Sequence, residues 1–218
     1  MSHARWLFII FLLCKIVPAH AMCDRELDEW KKLMKAGDDQ SAVTLLKRFA
    51  DSGDNTAQFL LAEESLEGYG TGLGGAAVAN YMRQAAEAGF PQAEFAYGAM
   101  LDQGTSIPQD QTAAFSWYQK SADHGNALAE FNLANMYENG ITVQPDKFTA
   151  LVYYIATTGV TEANIGEKAK SAVARLRYNF SNDEVLRAVD QAKLINVRGE
   201  AARKLVGKRL ANQKCTQF

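Results

Sequence analysis

Five sequence phases in this chain return at a separation of 36 residues, and no other feature limits its fold as much. Ala57, Ala93 and Ala129 open three copies, Phe59, Phe95 and Phe131 follow two residues on, and Gly68, Gly104 and Gly140 stand eleven residues beyond each alanine. Tyr81, Trp117 and Tyr153 share a later phase, and Val78, Ala114 and Ala150 precede them by three residues. A period between about 20 and 50 residues marks a solenoid, because one such unit is too small to bury its own apolar face and must stack on a neighbour. Function in a stack of this kind is expected on a surface, not in a catalytic cleft.

Within the third copy, Phe131, Leu133, Ala134, Met136 and Tyr137 fall on helical spacing, and Gly140 ends the run. Glycine suits the left-handed residue that closes many helices, since it has no Cβ to clash there. Asp110 and Asp146 then precede a second apolar run, where a carboxylate can accept from the unpaired N–H groups of a first helical turn. That second helix carries Ala113, Ala114, Trp117 and Ala122 in one copy and Ala150, Tyr153 and Tyr154 in the next, and Gly125 or Gly159 ends it. Small residues let helix axes approach while the aromatic fills the wedge between units. The unit is a helix hairpin.

Residues 93–125, with Ala93-x-Phe95-x-Tyr97-Gly98, Gly104, Pro108-x-Asp110, Ala114-x-x-Trp117-Tyr118 and Ala122-x-x-Gly125, resemble the Sel1-like repeat, a relative of the tetratricopeptide repeat. The resemblance extends over 57–92, 93–128 and 129–164 and, more weakly, over 22–56, where Asp38, Ala42, Leu45 and Gly53 hold the phase. It implies an all-α protein, an α-solenoid of helix-turn-helix repeats closed by a C-terminal capping helical segment at 165–218. Three departures stand out. Ser65 replaces an expected tyrosine, Gly74 stands where other copies have aspartate, and Gly159 comes two residues early, which predicts a shortened helix before it.

Residues 1–21 read as a signal peptide: Arg5 precedes the apolar run 6–14, and Ala19-His20-Ala21 is a small-x-small cleavage site. Nine apolar residues before Lys15 fall short of the ~20 that a membrane span requires. The expectation is export to a periplasmic or secreted location. Charge is divided along the chain. Between residues 22 and 165, nine Lys and Arg face twenty Asp and Glu, a net of −11, whereas 166–218 carries twelve against five, a net of +7. A basic tail after an acidic body fits an anionic partner or a solvated cap. Nucleic acid is not expected of an exported chain whose basic positions after Phe180 have no aromatic interleaving.

The tail reads as two helices. Ala169, Val173 and Leu176 line one, and Ser181-Asn-Asp-Glu184 has the spacing of a capping box for another that continues past Gly199 through Leu210. Thirty helical residues span about 45 Å, enough to run back along a stack. Cys23 and Cys215 remain after cleavage, in a compartment where disulfides persist. They can bond each other if that helix returns over the repeats; unpaired ends and intermolecular bridges fit the same residues.

Gly70-Thr-Gly72-Leu-Gly74-Gly75 meets the spacing of a dinucleotide loop but follows a helix, not a strand, and reads as an inter-helix loop. His124 is the only histidine of the mature chain, at the carbonyl end of a helix where a cation is favoured. No catalytic, cofactor or metal site is assigned: one histidine and distant cysteines do not make a zinc site, and no activated nucleophile is apparent. The resemblance implies a non-enzymatic scaffold or regulator in the bacterial envelope that binds a partner protein through its helical surface. Cysteine-rich relatives associated with β-lactam hydrolysis or binding are the alternative, but this chain lacks their paired cysteines within each repeat. Gln58, Glu94, Glu130 and Asn135, on first helices and expected to point away from the stacking face, are the candidate contacts. Arg203, Lys204, Lys208 and Arg209 are candidates for an anionic surface.

Overall fold

The structure is a computed structural model that describes residues 22–161 and 164–211, with side chains followed to Leu205. Its described residues are helical apart from short loops, with no strand among them. They form two compact units that divide in the glycine-rich loop at 72–73.

The first unit contains α1 (Asp24–Ala36), α2 (Asp39–Asp51) and α3 (Asn55–Glu67). Each turn is set by local chemistry. Gly37 ends α1 at φ 71°, and Asp38 then accepts from the Ser41 N–H at 3.2 Å to start α2. Asp54, 5 % exposed, accepts from Ala57 at 2.7 Å and also from the Met22 N–H at 2.9 Å, so one side chain starts α3 and anchors the entering chain. Ala42, Leu46 and Ala50 of α2, and Ala57, Leu61 and Ala62 of α3, form the buried centre.

The second unit contains α4 (Gly75–Glu87), α5 (Pro91–Gln103), α6 (Gln111–Asp123), α7 (Ala127–Asn139), α8 (Lys147–Thr157), α9 (Ile165–Leu176) and α10 (Asn182–Ala211). Each helix from α4 to α9 packs on the next, and α9 also reaches α7, as stacked hairpins require. The predicted caps are in place. Asp110 accepts from Ala113 at 2.9 Å, and Asp146 from Phe148 and Thr149 at 3.0 Å. Gly74, where the aspartate is missing, gives α4 no side-chain cap. Helix α8 has 11 residues where α4 to α7 have 13 each, the shortening that the early Gly159 predicts. Aromatic rings fill the wedges: Tyr97 meets Trp117 edge-on at 5.5 Å, Phe115 meets Tyr137 at 5.6 Å, and Tyr137 stacks on Tyr153 at 6.0 Å.

The repeat also explains the glycine-rich loop. Gly70, Ser106 and Thr142, at successive intervals of 36 residues, all adopt the left-handed region at φ 64°, 66° and 64°. The glycine in the first copy serves a turn that the other two form with strained residues, so it carries no sign of a phosphate cradle.

Helix α10 begins with the predicted capping box: the Ser181 N–H and Oγ both lie 2.8 Å from Glu184 Oε2. It packs along α8 with Ala188, Ala192 and Ile195, then runs back to α6. There Gly199 meets Gly125 backbone to backbone. A Cβ on Gly125, whose φ is +84°, would stand 2.5 Å from the Gly199 carbonyl oxygen and 2.7 Å from its Cα. Gly53 has φ +90° with open space around it. Gly53→Ala is expected to cost about 1 kcal/mol, the left-handed penalty alone. Gly125→Ala should cost about 2–4 kcal/mol, because the return helix must also move. Urea midpoints of the two variants, with proteolysis within α10 as the local readout, check the difference; equal losses would refute the close crossing.

Candidate functional site

The second unit repeats a polar position as faithfully as an apolar one. Glu94 and Glu130 directly follow the repeat alanines on α5 and α7, and they are 2 % and 3 % exposed. Gln58 holds the same phase on α3 and is 2 % exposed. The expectation that these three point outward is therefore corrected. On the first helices the residue after the alanine turns toward the neighbouring helix ends, and polarity alone does not reveal this.

A buried carboxylate needs a compensating group. Glu94 has one from its own repeat: His124, at the end of α6, places Nδ1 2.7 Å from Glu94 Oε2. The histidine at the helix terminus thus serves a side chain and not the last carbonyls. Burial raises the Glu94 pKa, and the hydrogen bond and charge of His124 oppose that rise. Gln58 needs no cation, being neutral, and its amide donates to the Ala50 carbonyl at 3.3 Å. In the copy of Glu130 the residue corresponding to His124 is Val160. Helix α10 supplies the missing charge. Arg203 donates to the Gly125 carbonyl, and its charge partly offsets the burial that pushes Glu130 up to about 7. Near this carboxyl also stands Tyr153 of α8, raised to about 12 by burial first.

The same ends are tied by neutral bonds. Ser121, fully buried on α6, donates to the Pro91 carbonyl at 2.6 Å, and Asn126 caps α7 through Leu128 and Ala129 at 3.0 and 3.1 Å. A further repeated contact joins Tyr118 to Asp102 at 3.4 Å and Tyr154 to Glu138 at 3.1 Å. Arg175 of α9 pairs with Glu138 through both guanidinium nitrogens, which holds that carboxyl below its usual range.

Other polar groups face outward. Asn135 is exposed on α7, as expected, and Asn139 one turn later donates to its Oδ1 at 2.7 Å and its carbonyl at 2.9 Å. Half-buried Asn132 instead turns its amide to the buried Tyr118 hydroxyl of α6, and the i, i+4 spacing of 135 and 139 is the signal that a residue-by-residue reading overlooked. Helix α10 packs on α6 and α8, which leaves this face of α7 uncovered by it. Between α8 and α10 lies an open groove of about 320 Å³ lined by Thr149, Val152, Tyr153, Leu194 and Arg198. Of the tail cations, Arg203 is engaged by the fold and exposed Lys204 pairs with Glu200 at 2.7 Å, while the side chains of Lys208 and Arg209 lie outside the described residues. Cys23 is buried and disulfide-bonded; Cys14 and Cys215, the other two cysteines, lie outside the described residues. Among the described residues no cluster of three or more His, Cys, Asp or Glu is arranged to hold a metal, and no helix is long and apolar enough to cross a membrane.

Helix hairpins stacked in register, with a return helix over the second-helix layer, define a helical repeat protein. The chain belongs to the Sel1 repeat family: that family's profile matches residues 91–126 and 127–156. A Sel1 repeat protein from Oxalobacter formigenes is similar at 36 % identity and a TM-score of 0.51, over 60 % of this chain and 95 % of that one. A protective antigen present in uropathogenic Escherichia coli strains, displaying an SLR fold, is similar in fold at 21 % identity and a TM-score of 0.61. That likeness covers 82 % of this chain, which spans 37 % of the length of the antigen chain. No curated protein matches the chain. Sel1 repeat proteins are generally non-enzymatic scaffolds for protein interaction.

The raised pKa of Glu130 has a direct consequence for stability. Folded, the group keeps its proton to about pH 7, against an ordinary value of 4.5. Between those values the folded chain holds a proton that the unfolded chain has released, so stability falls as pH rises through that window. The loss is on the order of 3 kcal/mol at most. Glu130→Gln should leave stability near pH 4 little changed and raise it at pH 8. Urea midpoints of both proteins across that range test this; parallel pH profiles would sink it.

Proposed function

We propose that this protein is an exported, non-enzymatic adaptor of the bacterial envelope that receives a segment of a partner protein on the first-helix face of its repeats. The supporting observation is the division of polar groups on α7. Glu130 is turned inward, within reach of the Arg203 charge, while Asn135 and Asn139 line a face that α10 leaves uncovered. Amide side chains both donate and accept, which suits the main chain of an extended peptide. Export rests on the leader-like residues 1–21 and agrees with the disulfide at Cys23, since such bonds persist outside the cytosol. Cys215 is the proposed partner of Cys23, because Cys14 lies within the leader.

The anionic-surface reading gains less support. Arg187, Lys193 and Lys204 of α10 each face an acid on the same helix, at 3.9, 2.9 and 2.7 Å. A β-lactam hydrolase reading finds no supporting arrangement in the polar clusters described above.

Protein carrying Asn135→Arg and Asn139→Arg, with an unchanged circular dichroism spectrum, should recover at least ~10-fold less partner than wild type from envelope extract, a loss of about 1.4 kcal/mol. Quantitative mass spectrometry of the eluates gives the comparison, and equal recovery would remove the face from consideration. In non-reducing peptide maps of the exported protein, the peptides of Cys23 and Cys215 should appear joined; separate peptides would exclude the pairing.

A further inference from the structure

Helix α10 leaves an apolar stripe uncovered on its outer side. Leu186, Leu194, Val197 and Leu205 are 62, 58, 65 and 68 % exposed. At 3.6 residues per turn these four fall within about 100° of arc, away from the packed seam of Ala188, Ala192, Ile195 and Gly199, with Leu194 at the edge where the groove toward α8 begins. Their spacing is 8, 3 and 8 residues and reads the same in both directions.

We infer that this stripe is a self-association surface, which pairs α10 antiparallel with α10 of a second copy about a two-fold axis between Ile195 and Asn196. That axis sets Leu194 against Val197 of the second copy near the centre and brings Leu186 level with its Leu205 toward the ends. Asp190, within the stripe and paired to Lys193 at 2.9 Å, faces the small Ala201 of the second copy. A two-fold interface brings the same patch together from both chains, and a palindromic stripe satisfies this without further adjustment.

Charge favours a second copy over a lipid surface. The borders of the stripe carry both signs: Lys193 and Lys204 stand beside Glu200 on one side, and Arg198 and Arg187, the latter paired with Glu184 at 3.9 Å, on the other. Under the same axis Lys193 comes beside Glu200 of the second copy, and the reciprocal pair forms by symmetry. A bilayer would instead bring Asp190 and Glu200 against anionic headgroups.

Area sets the expected strength. Four exposed side chains of ~100 Å² each offer on the order of 400 Å² of apolar surface per copy. That is about half of the roughly 800 Å² per partner in a standard interface, so the dimer is a weak one that dissociates on dilution. This surface lies on α10, away from the asparagine face of α7, and its test is independent of partner capture.

Sedimentation velocity of the full mature protein, from low to high micromolar concentration, should show a monomer–dimer equilibrium. Val197→Glu with Leu205→Glu, both at exposed positions, should weaken dimerisation at least ~10-fold while the circular dichroism spectrum and urea midpoint stay unchanged. Lys193→Glu should weaken it as well, and addition of Glu200→Lys should restore it, a rescue that loss of folding cannot produce. A wild-type protein that stays monomeric throughout, or a dimer indifferent to Val197→Glu with Leu205→Glu, overturns the inference. So does a monomer that binds phosphatidylglycerol vesicles through the same two residues.

Discussion

A carboxylate held among helix ends loses its water, and the arrangement persists only where another group compensates for that loss. The repeats of this protein place a polar side chain at one recurring position, and each copy meets the cost differently. Gln58 is neutral, Glu94 takes the His124 imidazole, and Glu130 feels the charge of Arg203, a residue more than seventy positions further along. The third solution matters most for the architecture. It comes with the return of α10 to α6, where Arg203 donates to the Gly125 carbonyl and Gly125 and Gly199 allow the backbones to touch.

That return helix orders the surface of the second unit. By lying on α6 and α8 it shields the second-helix layer and leaves the asparagine face of α7 open. Its own outer side, with Leu186, Leu194, Val197 and Leu205, becomes a new apolar surface. Capping a solenoid does not end its exposure of stacking surface, since a single helix has two sides. What covers the last repeat must itself be solvated, covered or shared.

The local signals were legible because they act within a few residues. Asp110 and Asp146 cap the helices they precede, Ser181 and Glu184 form the capping box, and the early Gly159 shortens α8. Burial of the polar row was not legible. Gln58, Glu94 and Glu130 have the composition of solvated helix positions, and only the approach of neighbouring helix ends turns them inward. His124 likewise reads as a terminal cation until the fold brings Glu94, thirty residues earlier, to 2.7 Å from its ring.

The 36-residue period, the caps and the glycine stops by themselves determined that this chain is a stack of helix hairpins, since those signals depend on backbone geometry and apolar spacing within one unit. Tertiary structure decided which polar groups are structural and which face outward, and where the long terminal helix comes to rest. Those outcomes turn on desolvation and on contacts between residues far apart in the chain. Glu130 and Arg203 show the reason: neither residue type nor spacing announces a partnership across seventy-three positions, and only packing creates the dry site that requires it.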